Sequence, residues 1–429
     1  MTAGAATLAG KRILVTGGSG FVGSRLVERI VLEEQAKARV LVHHPGRAAR
    51  VARLPIEIVR GDVLNEAEVE RAVEDCDIVF HCAYGTSPDE AQQRRVNVEG
   101  TRHVLEACRR ARVKRVVHFS TLMVYGLTAD GDLDESAPRR YFGNAYSDSK
   151  LDAETLAFDF MRRHQLPVVI LQPTAVYGPF AVQWTVQVLE KMKAGRLIMV
   201  DGGEGLRNAV YIDDLVSAAV LAAVKEQAIG EAFLISGNAP VTWREFYRGF
   251  ERMLGLSDRL VNLSAAEARA LYLKTQKARG LLAEMHLLAA EHPEIQRRLF
   301  KTRELAFLAR ALRRLLSDRW RDRLKGRMAA AGNTGAPLAA GSPGDRLHLL
   351  DPPTIRFQAS KTRVRIDKAE RLLDYRPAFE LSRGMALTER WARWAHLLAP
   401  THPVLAAFED QGSRFKVKGS ETVESHFSS

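Results

Sequence analysis

The sequence predicts an α/β protein with a doubly wound parallel sheet, a smaller C-terminal domain and a helical basic insertion. Two observations support this: short β-branched runs alternate with longer helical stretches up to about residue 180, and a basic stretch rich in leucine and arginine interrupts the later chain. The runs are apolar with little period-2 alternation, which is typical of strands buried on both faces. Strands that alternate with helices imply right-handed βαβ units and therefore a parallel sheet.

The individual elements follow in chain order. Six runs are predicted as strands of the main sheet: 12–16, 39–43, 56–60, 78–81, 113–120 and 168–172. The later chain predicts helices at 184–195, 213–224, 243–254, 366–373 and 385–397, and strands at 208–211 and 233–236. We expect a main domain over 10–180, to which 208–236 returns, a smaller domain from 181–207, 237–256 and 351–400, an insertion with a flexible linker at 257–350, and a tail at 401–429.

Composition excludes several classes of protein. Hydrophobic residues make up 46% and charged residues 27% of the 429 residues, which fits an average globular protein rather than a disordered or fibrous chain. The cysteines Cys76, Cys82 and Cys108 include no C-x-x-C pair, so we expect free thiols, a reducing compartment and no metal site. Neither a signal-peptide pattern nor an apolar run of about 18 residues is present, which predicts a cytoplasmic protein.

The net charge of +12 is concentrated in one segment, because residues 258–327 contain 17 Lys/Arg against 8 Asp/Glu. Within residues 294–327, leucines and Trp320 recur at helical spacing beside many arginines. Such a helix can lie in an anionic membrane interface, which would place the protein at the inner face of a membrane. The alternative is that the apolar stripe packs on the protein or on a partner subunit. No recognition motif accompanies the charge, so we expect no nucleic-acid partner.

A glycine-rich turn at residues 16–23 directly follows the first predicted strand and precedes a helix. Gly17 permits a tight turn, Gly20 lets the backbone approach a pyrophosphate, and Gly23 allows the helix to pack closely on the strand. The helix N-terminus supplies free N–H groups and a favourable dipole. The turn therefore predicts a Rossmann-type dinucleotide-binding domain.

The end of the second predicted strand bears on the choice between NAD and NADP. NAD-selective folds place an acidic residue there, whereas this chain has His43 and, nearby, Arg47. A guanidinium can hold the 2′-phosphate of NADP, so the sequence favours NADP; the alternative is that His43 and Arg47 form a solvated loop. After the third strand, Asp62 is placed either to accept from the adenine amino group or to cap a helix.

Two further segments carry chemistry. Residues 120–126 follow a predicted strand, and Tyr146 and Lys150 stand at the head of a helix. Their spacing of four puts both side chains on one helix face, where the ammonium is expected to lower the phenol pKa. A free tyrosine titrates at about pH 10, too high for a base at neutrality, so this pair is a candidate acid/base; the alternative is a surface tyrosine.

In this order the motifs resemble the extended short-chain dehydrogenase/reductase superfamily, specifically the NAD(P)-dependent epimerase/dehydratase family. The resemblance covers about residues 10–256 and 355–400 and leaves out the insertion and both tails. It rests on the segments 16–23, 61–63, 81–83, 97–101, 120–126, 146–150, 172–179, 211–215 and 368–377.

The resemblance implies that Tyr146 is the general acid/base, that Lys150 tunes it and holds the nicotinamide ribose, and that Thr121 hydrogen-bonds the substrate oxygen, with Ser120 as a close rival. A homodimer is also implied. Together with the glycine turn, it assigns NAD or NADP contacts to Gly17, Gly20, Phe21, Val22, Gly23, His43, Arg47, Asp62, Val63, Ala83, Tyr84, Asn97, Tyr146, Lys150 and Pro173.

Two departures from the family pattern limit what it implies. The family's nucleotide-sugar 4,6-dehydratases carry an Asp–Glu pair after the catalytic threonine, but here Leu122 and Met123 follow, so we do not expect dehydration by that route. Gln172 stands where the family often has an arginine, which leaves a charged contact near the active-site floor in doubt.

We therefore expect an enzyme that oxidises or reduces a secondary alcohol or ketone, with 4-epimerisation of a nucleotide sugar as the leading hypothesis. The alternative is a one-way NADPH-dependent reductase or hydroxysteroid-dehydrogenase-like enzyme with an apolar or lipid-linked substrate, which Arg47, Gln172 and the amphipathic stretch favour. A third hypothesis is a non-catalytic cofactor-binding module, against which the presence of Thr121, Tyr146 and Lys150 argues.

Overall fold

The computed structural model describes residues 7–126, 130–277 and 346–398, and its central element is a sheet of seven parallel strands. Numbered along the chain, the strands are β1 (Arg12–Thr16), β2 (Lys37–Val42), β3 (Glu57–Arg60), β4 (Ile78–His81), β5 (Arg115–Phe119), β6 (Gly131–Leu133), β7 (Val168–Pro173), β8 (Ala175–Tyr177), β9 (Arg196–Val200), β10 (Ala209–Tyr211), β11 (Ala232–Ile235), β12 (Leu260–Leu263), β13 (Leu347–His348) and β14 (Thr362–Val364). The main sheet has the order β11-β7-β5-β4-β1-β2-β3.

Helices connect these strands and cover them. They are α1 (Phe21–Leu32), α2 (Glu66–Val73), α3 (Glu90–Arg110), α4 (Ala145–His164), α5 (Gln187–Ala194), α6 (Ile212–Val224), α7 (Trp243–Met253), α8 (Ala265–Lys277), α9 (Pro352–Ala359), α10 (Asp367–Leu373) and α11 (Leu381–Trp394). The predicted fold class is confirmed, and each predicted strand is present with its ends shifted by a few residues. The predicted helix at 184–195 is divided, since a π-type turn at Val182–Val186 precedes α5.

The strand order reverses between β1 and β4. From β1 the chain moves outward through β2 and β3, then crosses back to β4 and continues on the other side through β5, β7 and β11. At such a point the loops after the two central strands diverge, which leaves a crevice at the carboxyl edge of the sheet. This crevice positions the site described below.

Both faces of the main sheet are buried under helices. Helices α1 and α6 cover one face, and α2, α3 and α4 cover the other. Adjacent residues of one strand serve opposite layers: Val117 belongs to the first core and Val116 to the second, and both are fully buried. This explains why the strand sequences lack period-2 alternation, since polar residues would be buried on either face.

The smaller domain contains short parallel sheets beside the carboxyl edge. Strand β10 pairs with β8, β14 pairs with β6, and a third sheet has the order β12-β9-β13. Helix α7 begins with a capping box formed by Thr242 and Glu245 and buries Trp243, Phe246 and Phe250 against its neighbours. These aromatic side chains form much of the core of this domain, in which α7 packs against α5 and α11.

The structure divides the later chain differently from the predicted domain boundaries. β12, α8 and β13 fall within the predicted insertion, yet β12 and β13 pair with opposite sides of β9 and so belong to the smaller domain. The amphipathic stretch 294–327, the linker and the tail 401–429 lie outside the described residues. Within the described ranges, every helix is too short or too polar to cross a bilayer.

Candidate active site

The glycine-rich turn lies between β1 and α1, at the crevice. Gly17 has φ +67°, in the left-handed region that favours glycine. A Cβ on Gly17 would lie 2.6 Å from the backbone nitrogen of Ala83, and one on Gly23 would lie 2.3 Å from the carbonyl oxygen of Gly17. The absence of side chains therefore lets the turn fold tightly and brings Ala83, which follows β4, directly against it.

The first turn of α1 faces the same crevice. Gly20 is the N-cap residue, and it provides no side chain to cap the helix. The N–H groups of Phe21, Val22 and Gly23 belong to this first turn, where an α-helix leaves its donors without intrahelical acceptors. Together with the helix dipole, these donors suit a pyrophosphate group, so the residues present fit a dinucleotide.

The ends of β2 and β3 bring His43 and Asp62 together. His43 Nε2 lies 3.4 Å from Asp62 Oδ2, and the other carboxylate oxygen of Asp62 accepts from the backbone N–H of Leu64 at 3.0 Å. The helix-cap alternative for Asp62 is wrong, because Asn65 is the N-cap of α2. Arg47 is exposed in a single turn after β2.

Thr121 and Tyr146 meet at the carboxyl edge of the sheet. Thr121 follows β5, Tyr146 lies in the first turn of α4, and the side chain of Thr121 is close enough to the phenol to oppose the rise in its pKa that burial causes. The half-exposed ring of Tyr84 stands edge-on to Tyr146, with centroids 6.3 Å apart. Ser120 is directed elsewhere, since its hydroxyl donates to Glu154 at 2.5 Å. The structure thus brings Thr121, and not Ser120, to Tyr146.

Lys150 is buried one helical turn after Tyr146, and its ammonium donates to the carbonyl oxygen of Phe119. Burial lowers the pKa of Lys150 to about 8, while Glu154 and Cys82 act in the opposite direction. Burial also raises the pKa of Tyr146, against a smaller lowering by the Thr121 side chain. The predicted depression of the phenol pKa by Lys150 is therefore not found, because the ammonium is directed to the backbone of β5.

The other predicted contacts lie around the same edge. Asn97 of α3 is 2% exposed; its Oδ1 accepts from Gly85 N at 2.8 Å and its Nδ2 donates to Ser149 Oγ at 2.8 Å. Asn97 therefore ties the loop after β4 to the helix that carries Tyr146. Val63 follows β3 and packs so closely on Gly100 that a Cβ at that position would lie 2.8 Å from the Val63 side chain. Pro173 ends β7, next to Ile235 of β11.

A buried polar network beneath these residues was not predicted. Glu154 is fully buried; it accepts from Ser120 Oγ at 2.5 Å and from Gln172 Nε2 at 2.9 and 3.0 Å, and it forms an ion pair with Arg139, whose Nε lies 2.7 Å from Oε1. Tyr125 donates its hydroxyl to Gln172 Oε1 at 2.8 Å. A charged contact at the floor thus exists although position 172 is glutamine, because Arg139 supplies it. The overlooked signal is spacing, since Glu154 lies four residues after Lys150 on the same helix face.

A doubly wound parallel sheet with a glycine turn at its switch point defines a Rossmann-type dinucleotide-binding protein. The profile of the NAD dependent epimerase/dehydratase family matches residues 13–236, more than half of the sequence, so the chain belongs to this family. The predicted family is confirmed, and so is the prediction of an enzyme, since the family and the relatives below comprise NAD-dependent epimerases, dehydratases and reductases.

Several relatives share about three residues in ten with this chain. It is 31% identical over 243 residues to the 2-alkyl-3-oxoalkanoate reductase of Shewanella oneidensis, covering 53% of this chain and 62% of that protein. It is 30% identical over 267 residues to the 4-hydroxy-2-methyl-3-oxo-4-farnesyl-3,4-dihydroquinoline-1-oxide ketoreductase of Stigmatella aurantiaca, covering 60% and 78%. It is 31% identical over 247 residues to human dTDP-D-glucose 4,6-dehydratase, covering 53% and 69%.

Solved structures show the same fold over most of the chain. The epimerase Mth375 of Methanothermobacter thermautotrophicus superposes with a TM-score of 0.63 at 20% identity, covering 91% of this chain and 95% of that one. The UDP-glucuronic acid 4-epimerase of Bacillus cereus, in complex with UDP-glucuronic acid and NAD, gives 0.60 at 21% identity, covering 90% and 99%. The smaller domain is therefore part of the shared architecture.

Proposed function

We propose that the chain catalyses hydride transfer between a nicotinamide cofactor and a secondary alcohol or ketone, at a site formed by Thr121, Tyr146 and Lys150. The observation that supports this most directly is the position of the Thr121 side chain next to Tyr146, beside a buried lysine on the same helix face. Phenol, hydroxyl and ammonium together offer a proton, an orienting donor and a positive charge at one place.

In the reducing direction, Tyr146 donates its phenol proton to the carbonyl oxygen, and the alcohol forms; in the oxidising direction the phenolate takes that proton back. The cofactor, when bound, supplies or accepts the hydride at carbon. Thr121 donates to the same oxygen and fixes its position. Lys150, one turn along α4, holds its ammonium at the carbonyl oxygen of Phe119, where it is placed to bind the nicotinamide ribose.

The proposed cofactor contacts follow the crevice. The pyrophosphate would lie against Gly17, Gly20 and the first turn of α1, and the nicotinamide ribose against Lys150. The adenine side would lie near Asp62 and the ends of β2 and β3, and the remaining contacts would come from Val63, Ala83, Tyr84, Asn97 and Pro173. We propose NADP as the preferred cofactor, supported by the exposed Arg47 and by the pairing of Asp62 with His43.

For the substrate, we propose an apolar ketone that is reduced in one direction. Thr121 is followed by the apolar Leu122 and Met123, and two of the relatives above are named as ketone reductases. Arg207, in the smaller domain, is 2% exposed and enclosed by aromatic rings, so its guanidinium is not open to a diphosphate. The second candidate is 4-epimerisation of a nucleotide sugar, supported by the likeness to dTDP-D-glucose 4,6-dehydratase.

The first experiment is to replace Tyr146 by phenylalanine and to follow NADPH oxidation with a 2-alkyl-3-oxoalkanoate, and epimer formation with UDP-glucuronic acid. We expect Tyr146→Phe to lower kcat by about 10²–10⁴-fold, because the variant has no proton to transfer. Tyr272→Phe, in α8, is the matched control and keeps the wild-type rate. Full activity in Tyr146→Phe would overturn the proposed function.

A second measurement separates the two substrate classes. The purified protein is denatured, and any released nucleotide is identified by mass spectrometry. Retained NAD(H) with turnover of UDP-glucuronic acid supports the epimerase, because a cofactor regenerated in each cycle need not leave. An empty protein that binds NADPH more tightly than NADH, and loses that preference in Arg47→Ala, supports the reductase.

A further inference from the structure

We propose that Arg139 is a positioning residue for the hydride-transfer site: its guanidinium keeps the buried Glu154 carboxylate charged, and Glu154 in turn fixes Ser120 and supports the ammonium of Lys150. This inference rests on the proposed function above. Neither Arg139 nor Glu154 lies in a position assigned to cofactor or substrate. Both act through their neighbours.

The first step is the environment of Glu154. It is fully buried, yet its two carboxylate oxygens have donors on three sides, from β5 through Ser120, from β7 through Gln172, and from Arg139. Ser120 and Gln172 are neutral donors, so Arg139 is the partner that brings a compensating charge within hydrogen-bond distance. A buried carboxylate without such a partner tends to take up a proton.

The second step is how Arg139 is held. It lies on residues 134–144, a segment that runs from β6 to α4 and is tied to the catalytic elements at both ends. The Arg139 guanidinium stacks over the ring of Phe158, 4.7 Å from its centroid, and Arg140 N donates to Val124 O at 2.8 Å. Phe142 N donates to Asp148 Oδ1 at 2.6 Å, in the first turn of α4. The segment therefore places the guanidinium over Glu154.

The third step is the connection from Glu154 to Lys150. Lys150 is faced by Glu154 from its own helix, by His81 and Cys82 from β4 and its loop, and by His118 from β5. Burial lowers the pKa of His81 to about 3 and that of His118 as well, and burial raises that of the Cys82 thiol, so these three groups are neutral at pH 7. Glu154, whose ionised form the Arg139 ion pair favours, is then the neighbouring acidic group.

Glu154 is itself sensitive to Arg139. Burial raises the pKa of Glu154, and Ser120, Arg139, Gln172 and Lys150 lower it; Tyr125 is the further titratable group that faces it. Removal of Arg139 therefore promotes uptake of a proton by Glu154, which removes the negative charge beside Lys150. Removal of the carboxylate has the same consequence directly. Because Lys150 carries its charge only below its pKa, either change moves its deprotonation to lower pH.

The test compares the pH dependence of kcat/KM, with the probe substrate that the wild type turns over, in Glu154→Gln, Arg139→Gln and Arg139→Lys. We expect the alkaline limb to move down by about one pH unit in Glu154→Gln and Arg139→Gln. Arg139→Lys keeps the charge and the wild-type limb, and Arg140→Gln, at the neighbouring exposed arginine, is the control. A rate loss in Arg139→Gln with an unmoved limb would show a merely structural role and overturn the inference.

A readout without substrate distinguishes this inference from the proposed function. Infrared difference spectra of Arg139→Gln minus Arg139→Gln/Glu154→Gln isolate the carboxyl group of Glu154. Its half-protonation is expected at higher pH than in the corresponding wild-type difference, whether or not either probe is turned over. An unchanged half-protonation pH would overturn the inference even in an active enzyme. Activity in Tyr146→Phe, by contrast, would overturn the proposed function alone.

Discussion

The molecule buries an acidic and a basic side chain in two different ways. At the floor of the candidate site, the carboxylate of Glu154 is surrounded by hydrogen-bond donors and an arginine. In the smaller domain, the guanidinium of Arg207 lies 3.7 Å from the ring centroid of Trp184 and 4.5 Å from that of Trp243, with Phe246 and Phe357 at 5.4 and 5.7 Å. Among the described residues, its Nε and one terminal nitrogen have no hydrogen-bond partner.

This difference follows from the chemistry of the two groups. A carboxylate only accepts hydrogen bonds, so burial requires donors in fixed directions, whereas a flat guanidinium can lie against the faces of aromatic rings. Burial lowers the pKa of Arg207 to about 9, and Tyr247 opposes that shift, so the group is still charged at neutral pH. We infer that the charge of Glu154 affects the chemistry of its neighbours, while Arg207 serves mainly to fill and order the smaller domain.

The largest expected effect is on the aromatic surroundings of Arg207. Replacement by alanine leaves a cavity between four rings and is expected to lower the free energy of unfolding by about 3–5 kcal/mol. Arg207→Met retains most of the volume without the charge and should cost less than about 1 kcal/mol, since the buried cation has no acidic partner within the part of the chain that the structure describes. Urea unfolding measures both. Equal losses of unfolding free energy in the two variants would show that the charge of Arg207 itself is required. Arg207 would then not differ from Glu154 in this respect.

A smaller loss of stability is expected at Glu154, because this side chain depends on directed hydrogen bonds rather than on the volume that it fills. Glu154→Gln keeps the shape but places amide N–H groups among three donors, so at least one buried donor loses its acceptor. We expect the free energy of unfolding to fall by about 1–3 kcal/mol in urea titrations. Glu74→Gln, at the exposed end of α2, should change it by less than about 0.5 kcal/mol. An unchanged free energy of unfolding in Glu154→Gln would show that Glu154, like Arg207, does not need its charge for stability.

His118 is a third buried titratable side chain, and it is neutral in the folded protein. Its effect on the pH dependence of stability extends the comparison with Glu154 and Arg207. Burial lowers the pKa of His118 well below its ordinary value of 6.5, so the unfolded chain binds a proton that the folded chain does not. Stability therefore falls as the pH drops below about 6.5, by about 1.4 kcal/mol per pH unit for this residue. In His118→Phe the slope between about pH 5.5 and 4.5 should be shallower by that amount. Unfolding curves that keep the wild-type slope would contradict this expectation.

The sequence predicted those parts of the fold and site that depend on neighbouring residues. The strands of the main sheet are continuous apolar runs, and the turn that contains Gly17 and Gly23 is a local motif, so both were predictable. The pairing of Thr121 with Tyr146 joins two segments, and only the resemblance to a family connected them. Lys150 was placed correctly on the helix face, but the direction of its ammonium depends on Phe119, a contact that spacing does not reveal.

Contacts between distant segments explain what was not predicted. Glu154 carries a local signal in its spacing from Lys150, but Arg139 reaches it across an irregular segment with no periodicity. Likewise β12 pairs with β9 across about 60 residues, so composition alone assigned β12 to the insertion. Parallel pairing leaves no turn signal between the partners, unlike a hairpin.

The pairing of β14 with β6 has a consequence for how the protein is made. Strand β6 leads into the segment that carries Arg139, and it is held by Thr362–Val364, by the Arg365–Asp132 ion pair, and by Lys361 N donating to Asp130 Oδ1. A chain emerging from the ribosome completes the main sheet at β11, well before these residues appear. At about 5–20 residues per second, several seconds pass between the synthesis of β11 and that of β14, so the main sheet can form before the segment that carries Arg139 is held in place.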